Sequence, residues 1–249
     1  MRLTKEDIIY EDNDIIVCHK KAGIATQTAR LGEADMVSAL KNYLKNSYVA
    51  VIHRLDQPVE GILVFAKNKK AAAHLSNQNA AQSMSKKYYA VVLLTTQAPN
   101  PEMTEKSGDV MTVESGKEYV LVDYLLKDGK SNTSKVVDAK TPEAKRAELT
   151  YGIVKVLAPE EAGQRTLARV QLKTGRHHQI RVQMANAGMS LLGDTKYGSE
   201  DAKEYSRLQR IKNVALCAYH LEFVHPVSGK KMEFNIEPKG EAFRPFFTN

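Results

Sequence analysis

Two periodicities run along the chain. Short runs of branched and aromatic residues read as strands: Ile8-Ile9-Tyr10 and Ile15-Ile16-Val17 around a turn at Glu11-Asp12-Asn13-Asp14, then Val49 to Ile52, Gly61 to Ala66 and Tyr88 to Leu94. Further strands are expected near 119–126, 134–138, 147–157, 167–173, 219–224 and 231–236, the last two joined by a hairpin turn at Val227-Ser228-Gly229-Lys230. Helical spacing covers 35–46, where Val37, Leu40 and Leu44 share one stripe. A second helix runs from Lys69 to about Gln82, with Asn68 as its N-cap. A third runs from His177 to about Ala187 and is closed by Gly188. Residues 97–117 carry Pro99, Pro101, Gly108 and Gly116 and read as a surface excursion.

Strands outnumber helices, many turns are hairpin length, and the two element types do not alternate. This predicts an α+β fold, a mixed and largely antiparallel central sheet flanked by a few helices, rather than a doubly wound parallel sheet. No Pro/Gly/Ser-rich linker and no internal repeat divides the chain, so residues 1–249 are expected to form one domain.

Composition narrows the function. The longest apolar run, Tyr88 to Leu94, is seven residues, far short of the ~20 needed to span a membrane as a helix. The opening MRLTKEDIIYEDND lacks the apolar core of a secretory signal. Cys18 and Cys217 are the only cysteines, which excludes a disulfide scaffold and a four-cysteine zinc site and makes a reducing cytoplasm the expected compartment. Lys plus Arg number 36 against 29 Asp plus Glu, a formal net charge of +7. Such an excess favours polyanionic partners, chiefly nucleic acid. Dinucleotide-binding, phosphate-loop, zincin and nucleophile-elbow motifs are absent. The adjacent His177 and His178 cannot form an i,i+4 metal pair. Chemistry without a metal or organic cofactor is therefore expected.

Two segments stand out. In Val51-Ile52-His53-Arg54-Leu55-Asp56-Gln57-Pro58-Val59-Glu60-Gly61 a buried strand ends in a polar cluster. A loop held by a rigid strand end is a common place for function, although Asp56 also suits a turn residue that accepts backbone hydrogen bonds. In Thr174-Gly175-Arg176-His177-His178-Gln179-Ile180-Arg181-Val182-Gln183-Met184 an alternating strand turns into a helix whose start, with Arg176, is a natural phosphate site. Ile180, Met184 and Ala187 form its core stripe. Arg181 sits at the stripe's edge, half buried and in need of a carboxylate partner, or else snorkelling to solvent.

These segments, with the order and spacing of a Lys86-x-Tyr88-x-Ala90-x-Val92 strand between them and GDTKYG (193–198) after them, resemble the motifs of RluA-type RNA pseudouridine synthases. The likeness extends from about residue 8 to 238. Val59-Glu60 stands where members usually have Thr-Ser, Lys20-Lys21 where the first hairpin usually has Lys-Pro, and Cys217 where histidine is common. The resemblance implies isomerisation of uridine to pseudouridine in ribosomal or transfer RNA, with no cofactor. It further implies Asp56, Tyr88 and Arg181 as catalytic residues, Arg181 lying within salt-bridge distance of Asp56. Arg54, Arg176, Lys86 and His53 would contact RNA, and Lys173 and the Lys20-Lys21 turn would join the basic rim of the cleft. Glu60 should pair with one of these bases or point away from the phosphates. No N-terminal accessory RNA-binding domain, membrane association or protein partner is expected, and the chain should act as a monomer.

Overall fold

A computed structural model describes residues 3–28, 30, 32–45, 48–94, 117–157 and 164–247; nearly all of the expected surface excursion at 97–117 lies outside them. The first elements are β1 (Ile8–Glu11), β2 (Ile15–Lys20), α1 (Met36–Leu44), β3 (Ala50–Val51), β4 (Glu60–Ala66), α2 (Lys69–Ala80) and β5 (Ser85–Leu94). There follow β6 (Glu118–Asp128), β7 (Thr133–Val137), β8 (Lys145–Val156), β9 (Gln164–Leu172), α3 (Gln179–Asn186), β10 (Met189–Leu191) and α4 (Glu200–Leu208). The chain ends with β11 (Leu216–Val224), β12 (Lys231–Asn235) and the short α5 (Arg244–Phe247). The fold is mixed α+β with largely antiparallel strands, as the pattern predicts. Among the described residues no helix is long and apolar enough to cross a membrane.

The backbone gathers into two compact units, Met1–Lys87 with Cys217–Pro238, and Tyr88–Leu216 with Lys239–Asn249. Two of the three divisions fall inside strands, β5 and β11, where no linker marks them in the sequence.

In the first unit the strand order is β1-β2-β4-β11, with β12 on β11 and β3 on β4. Every residue of β2 and β4 is buried, as expected of strands covered on both faces. Asn68 caps α2 by accepting the Ala71 N–H at 2.9 Å, and its amide donates to Asp14 at 2.8 Å. The helix buries Ala71 and Leu75 against Ile15, Val17, Val64 and Phe223. β4 and β11 run parallel, with Cys217 opposite Glu60 and Ala218 opposite Gly61. Gly61 has φ +142°, and a Cβ there would lie 2.5 Å from the Ala218 Cβ and 2.6 Å from its backbone nitrogen. Only glycine lets the strands meet, so Gly61→Ala is expected to destabilise the protein by about 1–3 kcal/mol or more, measured by denaturant unfolding.

In the second unit β6, β7, β8 and β9 form an antiparallel sheet in the order β7-β6-β8-β9. Val182 of α3 packs on Leu125 and Ala147 of this sheet. Three elements escape the sequence pattern, β10, α4 and the short α5. β10 is three residues paired antiparallel with β5, and α4 is capped by Ser199, whose hydroxyl accepts the Ala202 N–H at 3.2 Å. Strand 49–52 contracts to β3, only two residues long.

Candidate active site

Asp56 lies half buried in a tight turn, closed by Val59 N–H donating to the Asp56 carbonyl at 3.1 Å. The loop is fastened on its inner side. Thr26 Oγ1 accepts from Leu55 N–H at 3.2 Å and donates to the Leu55 carbonyl at 2.9 Å. Gly23 N–H donates to the Gln57 carbonyl at 2.8 Å. Beneath it Lys20 is fully buried, its ammonium donating to the carbonyls of Lys21 (3.2 Å), Ile24 (2.6 Å) and Gln57 (3.2 Å). Burial pushes the Lys20 ammonium down to about 7, against the pull of the Asp56 and Glu60 carboxylates. The basic turn expected at the surface is thus split: Lys20 is an internal clamp, and exposed Lys21 pairs with Asp7 at 2.8 Å.

Of the four expected RNA contacts, Arg54 and Arg176 are exposed, while His53 and Lys86 turn inward. His53 is 9% exposed, and its Nε2 accepts the Val64 N–H at 3.5 Å. Burial, then the Lys86 charge, pushes its imidazole down to about 3, so it is neutral. Lys86 donates to Asn79 Oδ1 at 2.6 Å, and Asn79 in turn donates to the Ile52 carbonyl at 3.2 Å. Burial lowers the Lys86 ammonium as well. Both residues brace the strand end that carries the Asp56 loop. The alternation of strand and loop residues could not tell this bracing from a surface role.

Tyr88 and Arg181 belong to the second unit. Tyr88 is 6% exposed on β5. Arg181 is 4% exposed, fully rather than half buried, because α3 is enclosed from Gln179 through Met184. Its carboxylate partner here is Asp194: Nε donates to Oδ2 and Nη2 to Oδ1, each at 2.7 Å, a two-point fork. Asp194 Oδ1 also accepts the N–H groups of Lys196 (3.0 Å) and Tyr197 (3.2 Å). The guanidinium lies 5.1 Å from the Tyr197 ring centre. Tyr197 Oη accepts the Ser134 N–H at 2.8 Å and lies 2.7 Å from His178 Nδ1, to which its own hydrogen can be given. Gly193, at φ +73°, lies where a side chain would strike the Asn213 carbonyl. Asp194 and Tyr197 of GDTKYG therefore hold Arg181. That motif was the signal for Asp194, which periodicity alone does not single out.

At the start of α3, Arg176 Nε donates to the Arg146 carbonyl at 2.9 Å, and Arg176 N–H is capped by Gln179 Oε1 at 2.9 Å. His177 and His178 stack with ring centres 3.7 Å apart. His177 engages Ser134 and Asn132 at 2.9 and 3.0 Å. Among the described residues one group has ligand-like spacing, Asp12, Asp14 and His225. His225 Nδ1 accepts the N–H groups of Val227 and Ser228 at 3.2 and 3.0 Å, so Nε2 carries the hydrogen it gives to Asp12 at 2.8 Å. Hydrogen bonding accounts for that group, which joins the β1–β2 turn to the β11–β12 turn in the first unit.

A family model described as RNA pseudouridylate synthase matches residues 14–186. The chain belongs to that family, whose members isomerise uridine in RNA. Its relatives are of the RluA type. Ribosomal large subunit pseudouridine synthase D of Zymomonas mobilis is 30% identical over 93% of this chain and 68% of its own length. tRNA pseudouridine synthase C of Haemophilus ducreyi is 30% identical over 91% of this chain and 88% of its own. The human RNA Pseudouridylate Synthase Domain Containing 1 structure shares the fold at a TM-score of 0.70, with 19% identity, over 96% of this chain and 86% of that one.

Proposed function

We propose that this chain converts uridine to pseudouridine in structured ribosomal or transfer RNA, in the cytoplasm and as a monomer, with Asp56, Tyr88 and Arg181 at one catalytic centre. The family match carries the reaction; the retention of all three side chains within its motifs supports the roles. The bond between uracil N1 and the anomeric carbon breaks, and a bond from ring carbon 5 to the same sugar carbon forms. The carbon-5 proton leaves to solvent and N1 gains one, so the step balances with no co-reactant. The Asp56 carboxylate acts at the anomeric carbon as nucleophile, or at the neighbouring sugar carbon as base. The Arg181 guanidinium orients that carboxylate. The Tyr88 ring stacks on uracil, and its hydroxyl assists removal of the carbon-5 proton. Uridine must leave the base stack for the carboxylate to reach its sugar, and Arg54 on the Asp56 loop takes part in that extrusion.

Arg176, Lys173 and Arg54 are exposed, which suits phosphate contacts flanking the extruded base. Affinity for RNA should then fall with salt by a log–log slope of roughly −0.7 to −0.9 per phosphate neutralised. Arg176→Glu should flatten the slope by about one contact, read by filter binding across a salt series. A salt-independent affinity would count against RNA as substrate. The substrate itself is identified by mapping pseudouridine in total RNA from cells with and without the gene. The loss of one or more sites in ribosomal or transfer RNA is the expected result, and unchanged maps would overturn the reading.

A further inference from the structure

We propose that Thr26 is a positioning residue for the reaction: its buried hydroxyl fixes the peptide that carries Asp56 and so aims the carboxylate. The proposal rests on the reading of Asp56 as the catalytic carboxylate. Thr26 is 2% exposed. Its Oγ1 bonds both polar backbone groups of Leu55, accepting the N–H at 3.2 Å and donating to the carbonyl at 2.9 Å. The N–H belongs to the peptide before Leu55, and the carbonyl to the peptide that joins Leu55 to Asp56. One side chain therefore holds two consecutive peptide planes. On the other side of Asp56, its own carbonyl accepts the Val59 N–H at 3.1 Å. Both peptides that flank the Asp56 Cα are thus held, and with them the direction of its Cα–Cβ bond.

Thr26 is itself tied to the body of the unit. The segment 23–27 runs beside residues 54–57. Two of the bonds between them lie in solvent, Arg54 Nη2 to the Gln27 carbonyl at 3.4 Å and Gln57 Nε2 to the Gly23 carbonyl at 3.2 Å. Water competes for those. The two Thr26 bonds are buried. The Ala25 and Thr26 carbonyls accept the Met36 and Val37 N–H groups at 3.0 and 3.3 Å, at the start of α1. The first N–H groups of a helix have no partner within it, so α1 anchors this segment while the segment completes α1. Threonine is stiff at χ1, because two heavy atoms crowd its Cβ. The place of the hydroxyl therefore follows from a backbone fastened to a packed helix.

Valine has nearly the shape of threonine without the hydroxyl. In Thr26→Val the Leu55 N–H and carbonyl lose their partner where water does not reach, and the loop must turn to satisfy them. Turning the peptide between Leu55 and Asp56 swings the carboxylate away from the sugar carbon. Lys173 and Arg176 lie on other elements and stay in place for RNA.

The test compares wild type with Thr26→Val, Thr26→Ser and Asp56→Asn, at a temperature where circular dichroism shows each one folded. The substrate is ribosomal and transfer RNA from cells lacking the gene, labelled with tritium at carbon 5 of uridine. Single-turnover tritium release at saturating protein gives the rate, and filter binding gives the affinity. Amide hydrogen exchange, followed by NMR without RNA, gives the protection of the Leu55 N–H. Thr26→Val should lower the rate by about 10²-fold, the scale on which a misplaced reacting group acts. RNA affinity should hold, and the Leu55 amide should exchange faster. Thr26→Ser keeps the hydroxyl and should restore most of the rate and the protection. A wild-type rate in Thr26→Val would overturn the proposal, as would a loss of affinity in place of rate, or a serine variant as slow as the valine one. An active Asp56→Asn would remove the catalytic role of Asp56 and the proposal with it. An inactive Asp56→Asn beside a fully active Thr26→Val would remove the role of Thr26 alone.

Discussion

Asp56→Asn should abolish release of the carbon-5 hydrogen from uridine in RNA, by about four orders of magnitude or more, the scale on which loss of a nucleophile acts. RNA affinity should stay within about tenfold. The asparagine amide occupies the volume of the carboxylate and can keep the turn, whose closing bond from Val59 N–H goes to the backbone carbonyl of residue 56 and not to its side chain. The clamping bonds from Thr26 Oγ1, the Gly23 N–H and the Lys20 ammonium also go to backbone carbonyls of the loop. The substitution therefore removes negative charge and nucleophilicity while the scaffold remains. A neutral amide can neither attack the anomeric carbon nor take a proton from its neighbour. Asp56→Ala should behave the same way, which would show that shape is not the cause. Tritium release from RNA labelled at carbon 5 measures it. Full turnover in either variant would sink the assignment of the carboxylate.

Much of this fold was legible because burial leaves a pattern. β2 and β4 appear as continuous apolar runs since both faces are covered, and α2 is announced by Asn68 ahead of an alanine-rich stretch. α4 was not legible: it buries only Ala202, Tyr205 and Ser206, too few apolar positions for a stripe. β10 is too short to show a period. The division into two units was hidden because it cuts through β5 and β11. At the site, the polar cluster at a strand end and the arginine in α3 could be read from residue type and place. The inward turn of Lys20, His53 and Lys86 could not, since a basic residue at the end of a strand reads as solvated unless its acceptors are known. Those acceptors are mostly backbone carbonyls and an asparagine, groups whose convergence is a property of the fold.

Asp194→Ala should give the largest loss of stability, about 3–5 kcal/mol, because it leaves a buried guanidinium without the carboxylate that takes two of its donors. Arg181 and Asp194 are 4% and 1% exposed at their side chains, so water cannot replace the lost fork without opening the structure. The same change frees the N–H groups of Lys196 and Tyr197, which turn the chain toward the ring that covers Arg181. Asp194→Asn should cost less, since its amide oxygen can still accept those N–H groups while the charge is lost. Arg181→Lys should lower turnover far more than RNA binding, because one ammonium cannot span both oxygens of Asp194 and hold the same orientation. A double variant, Arg181→Met with Asp194→Leu, separates packing from chemistry. Replacing both ions by apolar groups of similar size removes the stranded charge, so much of the stability should return. Turnover should not, because the positive charge proposed to orient Asp56 is absent. Denaturant unfolding and tritium release on the same samples measure the two effects. If Asp194→Ala melts like the wild type, the fork is not holding the helix. If the double variant regains activity along with stability, Arg181 serves the fold alone and has no part in the reaction.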